Sequence, residues 1–329
     1  MPSDTASNTS VTSDTPQISV VIVSFNTAQM TLRCLESVRA DLTGIRSEVI
    51  VVDNGSTDGS AKAIAEGAPW AKLIVSPSNL GFGAGNNLGL VEARGENLLL
   101  INTDAFPQSG AIPALLRYLN DHPDTAVVGP RLVNADGSMQ QSCFRFPTPL
   151  RSWMENLWIS TAMKRHPSID DYRFWAHDAE RSVDFVIGAC ILVRRSAYKQ
   201  VGGFDERFFM YAEESDWMYR MHQAGWEINF TPAAVVTHLG GASGAGDKPK
   251  INRVFFESLD YYELKHHGLA GLLSLRMAMT IGCAIRAALW TAVMAVSSKR
   301  RELARSKAKL LAWLAVRQST CWRLPARGA

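Results

Sequence analysis

Residues 18–26 read ISVVIVSFN, an apolar, β-branched run followed by Ser24, Phe25 and Asn26. Apolar residues at nearly consecutive positions suit a strand buried on both faces, as in a parallel sheet, and the polar residues after it suit a helix cap. The pattern recurs outward from this run. Residues 30–42 carry apolar side chains at helical spacing, and 48–52 form a second strand that ends in Asp53-Asn54-Gly55. A helix at 60–65, a third strand at 72–75, a helix near 86–93 and the buried strand NLLLI at 97–101 follow. Strands alternating with helices predict βαβ units: an α/β fold with a mostly parallel central sheet flanked by helices.

The bulk numbers agree with a folded body. Of 329 residues, 47% are hydrophobic and 20% charged, which excludes a wholly disordered chain. The net charge of +3 hides an asymmetry: residues 299–329 hold nine Lys or Arg against one Glu, so the rest sums to −5. The five cysteines are scattered and form no CxxC pair, which speaks against a disulfide framework or zinc site and suits a reducing compartment. Residues 1–17 are polar and rich in Ser and Thr, without the basic start and apolar run of a secretory signal, and are expected to be a disordered leader. A cytoplasmic location is therefore expected.

Farther along, 126–130 and 183–193 read as strands, 144–182 as a long and partly helical excursion, and 213–224 as a helix stopped by Gly225. Residues 226–230 and 234–236 return to extended structure. Residues 269–298 are strongly apolar but interrupted by Arg276 and Arg286, which lie about 80° apart on a helical wheel. With the basic residues that follow, the expectation is an amphipathic segment lying in the interface of an anionic membrane; packing on the protein or spanning the bilayer are the alternatives.

Ligands of parallel α/β sheets sit beyond the carboxyl ends of the strands. Three polar clusters occupy such ends: Ser24 to Asn26, Asp53 to Ser60, and Asn102-Thr103-Asp104. DNGSTDG could equally be a turn with a helix cap. Asp104 could hold a divalent metal that also touches phosphate oxygens, or cap the helix around Ile112. LGFGAGNN, residues 80–87, fails as a dinucleotide fingerprint, because its frame ends in Asn86 and follows SPSN rather than a strand. It reads instead as flexible backbone near a ligand, with Asn79, Asn86 and Asn87 as hydrogen-bonding side chains. His238, in THLGGAS, is a further candidate metal ligand. Most unusual is FFMYAEESDW, residues 208–217, where Glu213, Glu214 and Asp216 crowd together after an apolar run. Such a cluster either surrounds a cation or contains a base.

Taken in order, VVIVSFN, VIVVDNGSTDGS, NLGFGAGNNLG, LLLINTDA, GACILVRRSAYKQVGGFDERFFMYAEESDWMYRMHQAGWEI and VTHLGGAS resemble the family 2 glycosyltransferases, inverting enzymes of GT-A fold. The likeness is greatest to bacterial rhamnosyltransferase-type members that build cell-surface polysaccharides, and it covers residues 18–268. The resemblance implies a glycosyltransferase domain over 18–268; the helical, membrane-associating tail expected over 269–329 rests on its own apolar and basic pattern. It implies a nucleotide-diphosphate sugar donor held by Ser24, Phe25, Asn26, Asp53, Asn79, Gly81, Asn86, Thr103 and Asp104. Asp104 would bind Mg²⁺ or Mn²⁺, with His238 as a further ligand; Asn102 replaces the first acid of the family's metal motif. AEESD stands where the family places its catalytic base, with Glu214 first and Glu213 or Asp216 as alternatives, because alignment in a run of acids can slip. The acceptor would be a glycan or polyprenyl-linked sugar, reached from the inner face of the cell membrane.

Two other classes compete. A nucleotidyltransferase usually carries basic residues directly after its first strand, and here none occurs before Arg33. A membrane-bound scaffold that has lost catalysis is hard to reconcile with the intact AEESD cluster. Nucleic acid is not an expected partner, since the basic residues concentrate in an apolar-flanked tail.

Overall fold

Within the first strand, alternate side chains go to opposite faces of the sheet. Val20 and Ile22 join one buried cluster while Val21 joins another, so the unbroken apolar run is explained by burial on both sides. The computed structural model describes residues 15–163, 172, 175–240 and 248–320, without the side chains of 248–252. The leader expected over 1–17 lies almost wholly outside these residues.

The chain begins β1 (Ile18–Ser24), α1 (Ala28–Asp41), β2 (Ser47–Asp53), α2 (Ser60–Gly67), β3 (Lys72–Val75), α3 (Phe82–Glu92) and β4 (Asn97–Ile101). It continues β5 (Ala105–Pro107), α4 (Ala111–Asp121), β6 (Thr125–Val133), β7 (Met139–Gln140), β8 (Cys143–Phe144), α5 (Pro149–Asn156) and α6 (Ile159–Ala162). Then come β9 (Arg181–Ser182), β10 (Phe185–Val186), β11 (Cys190–Arg194), α7 (Arg195–Val201), α8 (Glu213–Gln223), β12 (Glu227–His238), α9 (Lys248–Val296) and α10 (Arg301–Thr320). The main sheet runs β3-β2-β1-β4-β11-β6-β12-β5. β1 to β4 are mutually parallel, β11 is antiparallel to both neighbours, β12 is parallel to β6, and β5 is antiparallel to β12.

One face is closed by α1, α2 and α4 through Leu35, Val38, Ile64, Leu115 and Leu119; the other by α3, α7 and α8 through Leu90, Ala197, Trp217 and Met218. The glycine-rich stretch forms the first two turns of α3 and is not flexible backbone. Its glycines let the helix lie close: a Cβ on Gly85 would meet Val23 and Asn54, and one on Gly89 would meet Val21 and Val52. Two strand readings also change. Residues 183–193 divide into β10 and β11, and the two extended stretches after Gly225 are one strand, β12, with a register shift between Thr231 and Val235.

α9 passes the expected boundary near residue 268 with a kink at Gly268, whose φ is +66°. Beyond the kink, Leu272, Leu275, Ala278, Met279 and Cys283 are buried, and Trp153 of α5 donates a hydrogen bond to Ser274 at 3.0 Å. The two arginines turn inward: Arg276 pairs with Asp260 at 3.0 Å, and Arg286 donates to the Asn156 carbonyl at 2.9 Å. The outward ridge, Leu269, Leu273, Met277, Ile281, Ile285 and Leu289, is thereby left apolar and exposed. By length and composition, the helix over Arg253–Val296 could cross a membrane.

Before the kink, Glu263 is fully buried beside His267 Nδ1 at 2.8 Å, and burial pushes its carboxyl up to about 7. A folded-state value above the unfolded one means that this group favours folding at low pH, and the advantage fades as pH rises through 7. Glu263→Gln should therefore gain on the wild type between pH 5 and pH 8 by on the order of 3 kcal/mol in urea unfolding. Parallel pH profiles of the two proteins would refute this.

Candidate active site

Strand order reverses between β1 and β4, which places a crevice at their carboxyl ends, the usual ligand position in such sheets. Asn26 lies on one lip with φ +53°; its N–H donates to Ser56 Oγ and its Oδ1 accepts from Thr57 N, both at 2.9 Å. This ties the β1 and β2 end loops together. Phe25 beside it is half-buried. Asp53 is 1% exposed: Oδ1 accepts from Ser56 N at 3.0 Å, while Oδ2 is buried with no hydrogen-bond partner among the described residues.

Three of the expected donor residues have their side chains engaged within the protein. Ser24 Oγ shares a hydrogen bond with Thr31 Oγ1 at 2.9 Å, toward α1. Asn79 Oδ1 accepts from Gly81 N at 2.9 Å, and Asn86 Nδ2 donates to Phe82 O at 2.9 Å. Gly81 has φ +89°, and a Cβ there would collide with the Phe209 carbonyl, so only glycine fits. Asn54 is a residue that sequence reasoning passed over. Its amide donates to Gly81 O and Asn79 Oδ1, and its oxygen accepts from Leu80 N, clamping the β2 end loop to the start of α3. The Asn87 side-chain amide donates to Phe204 O and accepts from Phe204 N, both at 2.9 Å.

Next to this crevice a cavity of about 270 Å³ gathers Asn102, Thr103, Asp104, Glu213, Glu214 and His238. Asp104 is not a helix cap. α4 begins seven residues later at Ala111, and Asp41 accepts the Gly110 and Ile112 N–H groups at its start. β5 carries Asp104 to the end of β12, where Ala105 pairs with His238 and Asp104 O accepts from Leu239 N at 3.0 Å. His238 Nδ1 donates to Gln140 Oε1 at 2.7 Å, and Nε2 lies 3.4 Å from Asp104 Oδ1. Gln140 is itself fixed by its Nε2 donating to Asn134 Oδ1 at 3.1 Å. It sets the tautomer and orientation of the imidazole, as the outer partners of metal-binding histidines do. No sequence motif marks it.

Among the described residues no group of three or more His, Cys, Asp or Glu side chains is disposed to hold a metal. One carboxylate and one imidazole nitrogen nonetheless fit Mg²⁺ or Mn²⁺ when substrate phosphate oxygens complete the shell.

The three acids separate in space. Tyr211 and Ala212 are consecutive non-glycine residues at φ +69° and +64°, a conformation costing about 1–3 kcal/mol each. Phe208, buried with Tyr261 and Tyr262 of α9, anchors the segment that carries them. The left-handed pair turns the chain abruptly into α8, so that Glu213 and Glu214 open the helix facing the cavity. Glu213 is 3% exposed, and burial, reinforced by the Glu214 charge, holds its carboxyl well above the ordinary range. Burial raises Glu214 too, but its carboxylate accepts the Gly188 backbone N–H. Both carboxyls are thus pushed up, Glu213 by burial and the Glu214 charge together, Glu214 by burial opposed by backbone N–H groups that favour its charged form. Asp216 lies outside the cavity. It is fully buried between Arg220 (2.9 Å) and His266 (2.8 Å), and although burial opposes its charge, His266, Lys265 and Arg220 hold it below the usual carboxylate range. It fastens α8 to α9.

Residues 19–202 match the glycosyl transferase family 2 domain. The N-acetylglucosaminyl-diphospho-decaprenol L-rhamnosyltransferase of Mycobacterium tuberculosis is 32% identical over 267 residues, 78% of this chain and 87% of that protein. Among solved structures, the mannosyltransferase PcManGT from Pyrobaculum calidifontis, in complex with GDP-Man and Mn²⁺, superposes with a TM-score of 0.57. Its identity is 19%, over 94% of this chain and 88% of that one. GalNAc-T7 with UDP, GalNAc and Mn²⁺ gives 0.53 at 16% identity, over 78% and 52%. The sheet order, with its parallel half and its inserted antiparallel strand, is therefore that of the GT-A fold. A strand-end crevice, a metal-competent acid and a buried carboxylate pair on this sheet agree with the sequence match: the chain belongs to glycosyl transferase family 2.

Proposed function

We propose that this enzyme transfers a sugar, L-rhamnose in the first instance, from a nucleoside-diphosphate donor to a hydroxyl of a lipid-diphosphate-linked acceptor, with inversion, in cell-surface polysaccharide synthesis. The observation that carries the proposal is the presence of Glu214 in the same cavity as Asp104 and His238. Rhamnose and the lipid acceptor are supported by the mycobacterial relative. Asn26, Phe25 and Asp53, with its unpaired Oδ2, would meet the nucleoside; Thr103 and Asp104 would face the diphosphate. Ser24, Asn79, Gly81 and Asn86 would act by shaping the crevice. Asp104 and His238 Nε2 would hold Mg²⁺ or Mn²⁺, which when bound offsets charge on the diphosphate. Glu214 takes the proton of the acceptor hydroxyl as its oxygen bonds to the anomeric carbon. The bond from that carbon to the diphosphate breaks on the opposite side, and the nucleoside diphosphate departs. Burial and the Glu214 charge favour the neutral form of Glu213 beside it.

The tail supports work at an anionic membrane surface. The apolar ridge of α9 adjoins the exposed Arg301, Arg305, Lys307 and Lys309 of α10, with Leu303, Leu310 and Trp313 exposed among them. An apolar stripe bordered by cations suits an interfacial helix pair. Full-length protein should float with vesicles containing anionic lipid and detach as salt rises; equal flotation with zwitterionic vesicles would contradict this.

The enzyme reading is tested by melting temperature against a panel of nucleoside diphosphates and nucleotide sugars, with and without Mn²⁺. Ligands of the native state raise the midpoint by mass action. A shift confined to one base and dependent on Mn²⁺ is expected. The absence of any shift would favour a non-catalytic scaffold.

A further inference from the structure

Glu214 borders two cavities. One is the donor-side pocket already described; the other, of about 480 Å³, is lined from α5 and α9 and also reaches Glu214. Ile187 and Tyr211 are shared with Glu214, so the two spaces meet at the base. The walls of the second cavity are mainly apolar: Phe146, Phe185, Leu259, Leu275 and Met279. A nucleotide sugar bound over Asp104 has no use for such a surface. An acceptor, by contrast, must reach Glu214 from the side away from the donor.

Two arginines border the apolar walls, and they differ. Arg145 is committed, pairing with Asp184 at 3.0 Å and lying over the Tyr172 ring at 4.0 Å. Arg151 has no acidic partner among the described residues, yet its position is fixed: its backbone N–H is capped by Thr148 Oγ1 at 3.2 Å in the first turn of α5. A half-buried guanidinium without an acidic partner among the described residues, beside an apolar slot that Glu155 and Glu214 also line, suits a ligand with anionic, apolar and hydroxyl parts. One of the wall helices, α9, also carries the exposed apolar ridge. Leu275 and Met279 line the slot from α9, while Met277 and Ile281 of the same turns are exposed on the outer face.

We propose that this second cavity binds the isoprenoid diphosphate of the acceptor, with Arg151 on the diphosphate, Leu259, Leu275 and Met279 on the first isoprene units, and the linked sugar at Glu214. The assignment rests on the glycosyl transfer reading for the identity of the sugar, but the isoprenoid diphosphate site can be measured without transfer.

The probe is geranylgeranyl diphosphate, titrated into the full-length protein by calorimetry, with geranylgeraniol and inorganic diphosphate as controls. Saturable binding is expected for the first, and weaker binding for both controls. Arg151→Glu should weaken it by about tenfold or more, the loss of a charge-assisted contact, and Arg151→Lys should recover part of it. Met279→Trp, which fills the slot, should weaken the diphosphate and the alcohol alike. Nucleotide-induced melting shifts in Mn²⁺ should persist in all variants, which also shows that they fold. Wild type without saturable binding, or Arg151→Glu and Met279→Trp binding as the wild type does, would overturn the proposal. Isoprenoid diphosphate binding without any nucleotide-induced shift would instead overturn the enzyme reading and leave this site standing.

Discussion

Glu214→Gln is expected to lower kcat by about 10²- to 10⁴-fold, the range lost with a general base. Donor affinity should stay within a factor of about two, since the amide keeps the shape and can still accept the Gly188 N–H. The carboxylate pair makes the contrast with its neighbour informative. Burial and the Glu214 charge push Glu213 toward its neutral form, which Glu213→Gln imitates, so this substitution should cost far less. The pH dependence follows the same logic. Burial raises Glu214, so the acid limb of kcat should lie above the ordinary carboxylate range, with activity rising as Glu214 loses its proton. Steady-state rates for the two variants across pH check both points. Equal losses in the two would mean that the pair acts as a unit and that the assignment to Glu214 is wrong.

Asp104→Ala should abolish the Mn²⁺-dependent part of nucleotide stabilisation and reduce kcat/KM by at least about a hundredfold, because several kcal/mol of charge compensation depends on that carboxylate. The loss should be specific. Asp104 bears on no helix start, and Ala105 and Phe106 after it remain held by the β5–β12 pairing, so the melting temperature without ligand should change little. Gln140→Leu tests the outer partner: freeing His238 Nδ1 should weaken metal response about 10- to 100-fold while leaving both first ligands in place. Melting curves with nucleotide, with and without Mn²⁺, give both readouts. An unchanged Mn²⁺ response in Asp104→Ala would move the metal site elsewhere.

Much of the parallel half of the sheet was legible because its strands are unbroken apolar runs between turn residues. β1 to β4 fall within about one residue of the expected positions at most ends, and β3 and β4 coincide with them. The glycine-rich stretch misled for a physical reason. Glycines at close helix–sheet approaches look, in sequence, like glycines in a loop, and only the packing of Gly85 and Gly89 against Val23 and Val21 distinguishes them. The antiparallel insertion of β11 was hidden too, because pairing across 90 residues leaves no local pattern.

The site divides in the same way. Motif order singled out Asp104 and the run Glu213 to Asp216, and the structure brings Asp104, Glu213 and Glu214 to one cavity. Three acids in four positions could not be told apart, because their separation depends on the left-handed turn at Tyr211-Ala212 and on Lys265 and His266, some 50 residues away. Asn54 and Gln140 act through single long-range hydrogen bonds, which carry no periodicity. In the tail, the wheel correctly placed both arginines toward one side of the helix. That the side faces α5 and Asp260 rather than lipid headgroups required the fold.

The most direct test is a transfer reaction: full-length enzyme, nucleoside-diphosphate L-rhamnose, polyprenyl-diphospho-N-acetylglucosamine and Mn²⁺, with the product's anomeric configuration read by NMR. The expected product is a glycosylated lipid of inverted configuration, dependent on Mn²⁺ and lost in Glu214→Gln. A product of retained configuration, or wild-type turnover preserved in Glu214→Gln, would contradict it.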